Sequence, residues 1–225
     1  MAATDITALW LTLKLAFITS CILLVIGTPL AWWLSGWQSR FKPLVLAIVA
    51  LPLVLPPTVL GFYLLIAFSP QSEFGALWQN ITGKQLAFSF YGILLGSILY
   101  SLPFMLQPLY AAFSQLPKTY LDVAHTLGMG KVARFCKIVV PLTKASFISA
   151  FGLCFAHTLG EFGVVLMIGG NIPGETQVLS IALFDHVESM QYQQAHVLAA
   201  GLLVLSFVLL VVLYRQHGKK AQLWG

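Results

Sequence analysis

Asp122-Val123-Ala124-His125-Thr126-Leu127-Gly128-Met129-Gly130-Lys131-Val132-Ala133-Arg134-Phe135-Cys136-Lys137-Ile138-Val139-Val140-Pro141-Leu142 lies between two strongly apolar blocks, helical in pattern yet too polar to enter a bilayer. Val123, Leu127, Val132 and Phe135 recur at roughly helical spacing, and Lys131, Arg134 and Lys137 fall three apart on one face. Gly128 and Gly130 permit a sharp bend, and Pro141 removes a backbone donor. The segment therefore reads as helix, glycine elbow, short helix and proline stop, a compact basic piece built to touch something in the cytosol.

Outward from this stretch the chain is apolar. Of 225 residues 59% are hydrophobic and 8% charged, against roughly 25% charged in a soluble domain. With a mean hydropathy of +0.88, it reads as an all-α integral membrane protein. The net charge of +5 sits on few, scattered basic residues, which suits membrane orientation and not nucleic acid. Cys21, Cys136 and Cys154 show neither a disulfide framework nor metal-ligand spacing, so no metal site is expected.

Five spans are expected, at about 8–34, 44–68, 86–113, 145–168 and 195–214, in one domain covering 1–225. No basic start or cleavage site precedes the first apolar run, so Ile6 onward reads as a retained span. Lys14 either snorkels to the interface or serves as a pathway charge, and Trp32, Trp33 and Trp37 mark the other interface. Pro52, Pro56 and Pro57 interrupt the second block, whose freed carbonyls call for protein packing or a watery path. Residues 69–85 read as a nearly neutral loop. Ser101 and Gln107 in the third block suit cross-helix hydrogen bonds.

Charge sets the expected topology. With the N-terminus periplasmic and the C-terminus cytoplasmic, the cytosolic segments, including 114–144, hold Arg40, Lys42, Lys118, Lys131, Arg134, Lys137, Lys144, Arg215, Lys219 and Lys220, ten of the twelve cations. Asp5, Glu73, Glu175, Asp185 and Glu188 fall outside.

The fourth block carries His157 and Glu161, the only acidic residue deep in a span. At i and i+4 they can pair or share a proton at a helix contact, or line the pathway or gate. Gly160 and Gly163 permit close helix approach, and Gly169-Gly170-Asn171, followed by Pro173, ends the helix. Residues 177–186 are too short to span. No Gly-x4-Gly-Lys-Ser/Thr spacing is present, so the chain is not expected to hydrolyse ATP or to be an enzyme.

The 122–141 stretch resembles the Glu-Ala-Ala loop of ATP-binding-cassette importer permeases. Asp122-Val123-Ala124 stand for the triplet, Gly128 follows three residues later, and Ile138, Val140 and Pro141 close the pattern. Glu161-Phe162-Gly163, Ile168 to Thr176 and Asp185-His186-Val187-Glu188 resemble the molybdate branch, with sulfate permeases similar over the same stretch. The resemblance implies a type I importer permease fold in a bacterial inner membrane, surrounded by lipid. It implies a homodimer, separate ATPase subunits that bind ATP, and a periplasmic molybdate-binding protein. Asp122, Ala124, Gly128, Lys131, Ile138 and Pro141 would couple to the ATPase, with molybdate or tungstate as cargo. His157, Glu161, Gly169, Gly170, Asn171 and Pro173 would line the pathway or gate. The alternatives are another oxyanion such as sulfate, or a proton-coupled secondary transporter using His157 and Glu161.

Overall fold

The computed structural model describes residues 3–221. The longest helix, α1 (Ala3–Gly36), is about 51 Å long at 1.5 Å per residue, enough to cross a bilayer with tilt. It packs side by side with α5 (Phe90–Ser114) and α9 (Lys144–Leu159). Leu23, Ala31 and Leu34 of α1, Met105, Leu106, Leu109 and Phe113 of α5, and Ala150 and Cys154 of α9 form the main core. Within each helix most of these residues lie three, four or eight positions apart, so each helix turns one stripe inward and leaves the rest of its apolar surface to lipid.

Among the described residues three helices, 4–36, 90–114 and 192–213, are long and apolar enough to cross a membrane, and up to five spans result if each of two bent pairs counts as one. The second expected span is one of those pairs. α2 (Lys42–Val54) and α3 (Pro57–Phe68) meet at 108°. Leu55 and Pro56 both precede a proline and take ψ of 135° and 134°, the extended backbone that a following proline ring imposes.

The fourth expected span, 145–168, is also divided. α9 stops at Leu159, Gly160 to Phe162 are not helical, and α10 (Gly163–Gly169) resumes. α10 ends at Gly170, with φ +63° and ψ −141°, a conformation open essentially to glycine alone. Segment 69–85 corrects the loop expectation, because it contains α4 (Glu73–Thr82). Segment 177–186 forms α11 (Leu179–Glu188), laid against α1 and α12 (Tyr192–Ala221).

The elbow forms as α6 (Lys118–Thr126), a turn at Gly128 with φ +75°, and α7 (Lys131–Arg134) from Gly130. Pro141 is not the stop. A π-helical turn over Phe135–Val139 leads into α8 (Val140–Leu142), and the chain bends by 75° at Thr143 before α9. The Val140 N–H donates to Phe135 O, five residues back. That widened turn gives the Pro141 ring room it lacks in a regular helix. Trp32, partly buried, packs edge-on to Phe113 and Phe135, while Trp33 and Trp37 stack on each other.

Charge divides the two ends of the bundle. Arg40, Lys42, Lys118, Lys131, Arg134, Lys137 and Lys144 lie in the connections where α1 and α5 end, whereas Asp5, Glu73, Asp185 and Glu188 lie where they begin. The side chains of Lys219 and Lys220 lie outside the described residues. Lys14 places its ammonium 4.6 Å from the centre of the Phe90 ring near that acidic end, consistent with snorkelling.

Candidate functional site

Two chain breaks face each other across an open cleft on the side of the bundle, where Pro57, Thr58 and Gly160 are exposed. The α2–α3 break brings Pro57 and Thr58 to the α9–α10 break at Gly160 to Phe162, and Gly163 makes the approach possible: a Cβ there would sit 2.8 Å from Pro57 Cβ. Gly160, by contrast, meets no neighbouring helix closely. Between the breaks lies a cavity of about 610 Å³, walled by Thr58, Tyr100, His157, Glu161, Leu166 and Met167 among others. The only titratable side chains in that wall are Tyr100, His157 and Glu161, so it carries no lysine or arginine.

His157 and Glu161 do not pair. Gly160 ends α9 between them, so the i to i+4 relation of a continuous helix is lost, and each takes a different serine of α5. Ser97 Oγ donates to Glu161 Oε2 at 2.7 Å, and Ser101 Oγ lies 2.9 Å from His157 Nδ1 and 3.0 Å from Thr158 Oγ1. The Thr158 hydroxyl donates to Cys154 O and so accepts from Ser101. The Ser101 proton is thereby used, which requires the His157 Nδ1–H tautomer. The His157 ring also stacks on Phe104, with centroids 3.9 Å apart, and leans on Tyr100. Glu161 is buried, its Oε1 has no hydrogen-bond partner, and its main-chain carbonyl accepts from Ser180 Oγ of α11 at 2.7 Å. The break is thus tied to α5 through a side chain and to α11 through the backbone.

Gly169, Gly170, Asn171 and Pro173 do not line this cavity. They belong to a tight loop in which Thr176 Oγ1 donates to Gly169 O, the Ile172 N–H donates to Thr176 Oγ1, and Asn171 and Gln177 both donate to Asp185 on α11. Asn171 and Pro173 are exposed at its tip.

A second concavity, of about 560 Å³, lies in the elbowed segment. Tyr120, Val123, Ala124, Leu127, Met129, Lys137, Ile138 and Pro141 line it. Ala124, Ile138 and Pro141 therefore converge, Gly128 makes the turn that folds α6 back toward α7, and Asp122 and Lys131 lie on the exposed surface outside the groove. Tyr120, Val123, Leu127 and Val132 are more than half exposed, an apolar surface on an otherwise polar loop.

Sequence reading did not single out Ser97, Thr58, Tyr100 or Ser180. The spacing of Ser97 and Ser101 by four on one apolar helix was the available signal, since such a pair shares a face.

The chain matches the family described as "Binding-protein-dependent transport system inner membrane component" over residues 12–219. It is 52% identical over 219 residues to the molybdenum transport system permease protein ModB of Azotobacter vinelandii, covering 97% of each chain. It is 31% identical to the sulfate transport system permease protein CysT of Escherichia coli, over 91% of this chain and 74% of that one. It is 30% identical to the putative molybdenum transport system permease protein YvgM of Bacillus subtilis, over 91% and 90%.

Among solved structures, the fold is similar to that of the inward-facing MetNI methionine ABC transporter, with a TM-score of 0.72 at 16% identity over 93% of each chain. It is also similar to a bacterial alginate ABC transporter crystallised with its alginate pentasaccharide-bound periplasmic protein, with a TM-score of 0.75 at 16% identity over 95% of this chain and 78% of that one. Two broken helices facing across a cleft, an elbowed basic loop and a match along almost the whole bundle agree: the chain belongs to the inner-membrane permease components of binding-protein-dependent transport systems and has the all-α fold of type I ATP-binding-cassette importer permeases.

Proposed function

We propose that this chain is the pathway-forming permease of an ATP-driven molybdate importer, working as a homodimer on two ATPase subunits and receiving its anion from a periplasmic binding protein. The observation that carries the reading is the likeness, along nearly the whole of both chains, to the molybdenum permease of Azotobacter vinelandii. Tungstate belongs to the same reading, because it is a tetrahedral dianion of similar size. The basic end of the bundle is assigned to the cytosol, which leaves the N-terminus periplasmic and the C-terminus cytoplasmic.

The geometry supplies a lever. The groove lined by Ala124, Ile138 and Pro141 is open to a partner, and the π turn under it is locked to the main core through Val139 and Phe135. From there the chain runs through α8 and, after the 75° bend at Thr143, into α9, whose far end holds His157 and leads to Glu161. ATP-driven closure of the ATPase subunits would move the groove, and a packed core passes that displacement to α9 as a rigid body. The break at 160–162, held by Ser97 and Ser180, is where α9 can move relative to α10. A dianion crossing this cavity would find the hydroxyls of Thr58 and Tyr100 and no cation, which suits weak, transient contact, with selection left to the binding protein.

The test is ATP-dependent uptake of labelled molybdate into proteoliposomes holding permease, ATPase and binding protein, comparing wild type with Gly128→Pro and adding excess sulfate. Wild-type uptake that sulfate does not displace, with a mutant that hydrolyses ATP without transport or fails to bind the ATPase, supports the proposal. Full competition by sulfate moves the substrate to that anion. Normal uptake by the mutant removes the coupling role of the elbow.

A further inference from the structure

The segment between α3 and α5 has an unexplained arrangement. α4 is a ten-residue helix, Glu73–Thr82, capped at both ends: Ser72 Oγ accepts from the Gly75 N–H at 2.9 Å, and Gly83, with φ +71°, closes the last turn. Ser72 also donates to Ala67 O and Ser69 O, and Gly75 lies so close to Ser69 O that any side chain there would collide. α4 is therefore held at a set angle to the end of α3.

At about 100° per residue, its surface divides into three sectors. Gly75, Ala76, Trp78 and Gln79 turn toward the protein. Glu73 and Asn80 form an exposed polar edge. Between them Phe74, Leu77 and Ile81 fall within about 60° of arc, and they are 49%, 58% and 75% exposed. A stripe of three large apolar side chains on a helix this short, beside a polar edge, is the pattern of a helix lying in a membrane interface.

We infer that α4 lies in the plane of the bilayer at the end of the bundle where α1 begins, its Phe74, Leu77 and Ile81 stripe inserted among lipid acyl chains and its Glu73 and Asn80 edge in water. Two neighbouring features place lipid there. The flanking helices expose apolar side chains of their own, Tyr63 and Ile66 of α3 and Tyr91 of α5, and Phe74 packs on Phe68 at the end of α3. Trp78 of α4 and Tyr91 pack at 5.9 Å, and such aromatics with a polar edge settle at headgroup depth. A second copy is a poorer occupant, since three side chains fall well short of the roughly 800 Å² per partner of a stable interface. The anchor would hold the kinked α2–α3 pair at fixed depth while α9 moves.

The full-length chain is reconstituted in phosphatidylethanolamine and phosphatidylglycerol vesicles with its exposed native thiol removed by Cys136→Ser, the residual background being subtracted. Nitroxides are placed singly through Glu73→Cys, Phe74→Cys, Leu77→Cys, Asn80→Cys and Ile81→Cys, all at exposed positions, and collision with oxygen is compared with collision with a water-soluble nickel chelate. The inference expects oxygen-to-nickel ratios several-fold higher at 74, 77 and 81 than at 73 and 80. It is overturned by nickel-accessible labels at all five positions, by equal ratios without helical periodicity, or by shielding of 77 and 81 from both reagents, which would mean a protein partner.

Discussion

Glu161 shows how a side chain that reads as functional is held by ordinary packing chemistry. Its Oε2 has Ser97 and its Oε1 has no partner, so the serine hydroxyl is the single hydrogen bond on a buried carboxyl. Ser97→Ala is expected to lower stability by about 1–3 kcal/mol, the cost of leaving a buried polar group unsatisfied. Thermal unfolding in detergent measures it, and an unchanged midpoint would mean that Ser97 is not the anchor of the break. His186 gives a pH-dependent counterpart outside the spans. Its Nε2 lies 3.0 Å from Asp5 Oδ1 and its Nδ1 2.9 Å from Gln191 Oε1. These two hydrogen bonds, Asp5 first, raise its pKa above the ordinary histidine value, with the nearby Asp185 carboxylate adding to the effect. The folded chain then holds a proton that the unfolded chain releases. The contribution is full below about pH 6.5 and is lost as pH rises through the folded value. The stability advantage of wild type over His186→Gln is therefore expected to be largest in mildly acidic solution and to shrink as pH rises above the ordinary histidine value. A gap that widens with pH would contradict the pairing.

At the scale of elements, the two breaks matter more than the helices they interrupt. Pro56 and Pro57 were legible as an interruption because proline restricts the residue before it as well as itself. The Gly160 to Phe162 break was not legible, because Gly160, Glu161 and Phe162 form no breaker signature and an uninterrupted apolar run reads as one span. Gly163 joins the two: its missing Cβ is what lets α10 lie against Pro57. Gly163→Leu is expected to destabilise by about 1–3 kcal/mol through overpacking and to lower molybdate uptake more than ATPase binding, since the groove lies at the other end of α9. Transport and pull-down of the ATPase distinguish these outcomes. The π turn before Pro141 was equally unreadable, for the sequence shows the proline but not that the helix absorbs it.

Across the whole molecule, one end carries the basic connections and the exposed apolar groove, the other carries the acidic residues, α4 and α11, and the cavity lies between them. This arrangement separates the elbow groove from the cleft at the two breaks by about the length of α9, roughly 24 Å. Leu127→Asp, at an exposed site, is expected to leave folding unchanged and to abolish ATPase capture and uptake together. Intact capture would place the docking surface elsewhere. Amino-acid order alone determined the membrane class, from apolar runs long enough to span. It also determined the division of charge and the elbow at Gly128, which lies in left-handed backbone that glycine enters at least cost. Tertiary structure alone decided that His157 and Glu161 take separate serines, that Trp32 packs inward, and that residues 73–82 form a helix with an apolar side. The physical reason is that span and charge are properties of a chain segment and its solvent, whereas a hydrogen-bond partner or a buried face depends on which distant segment arrives beside it.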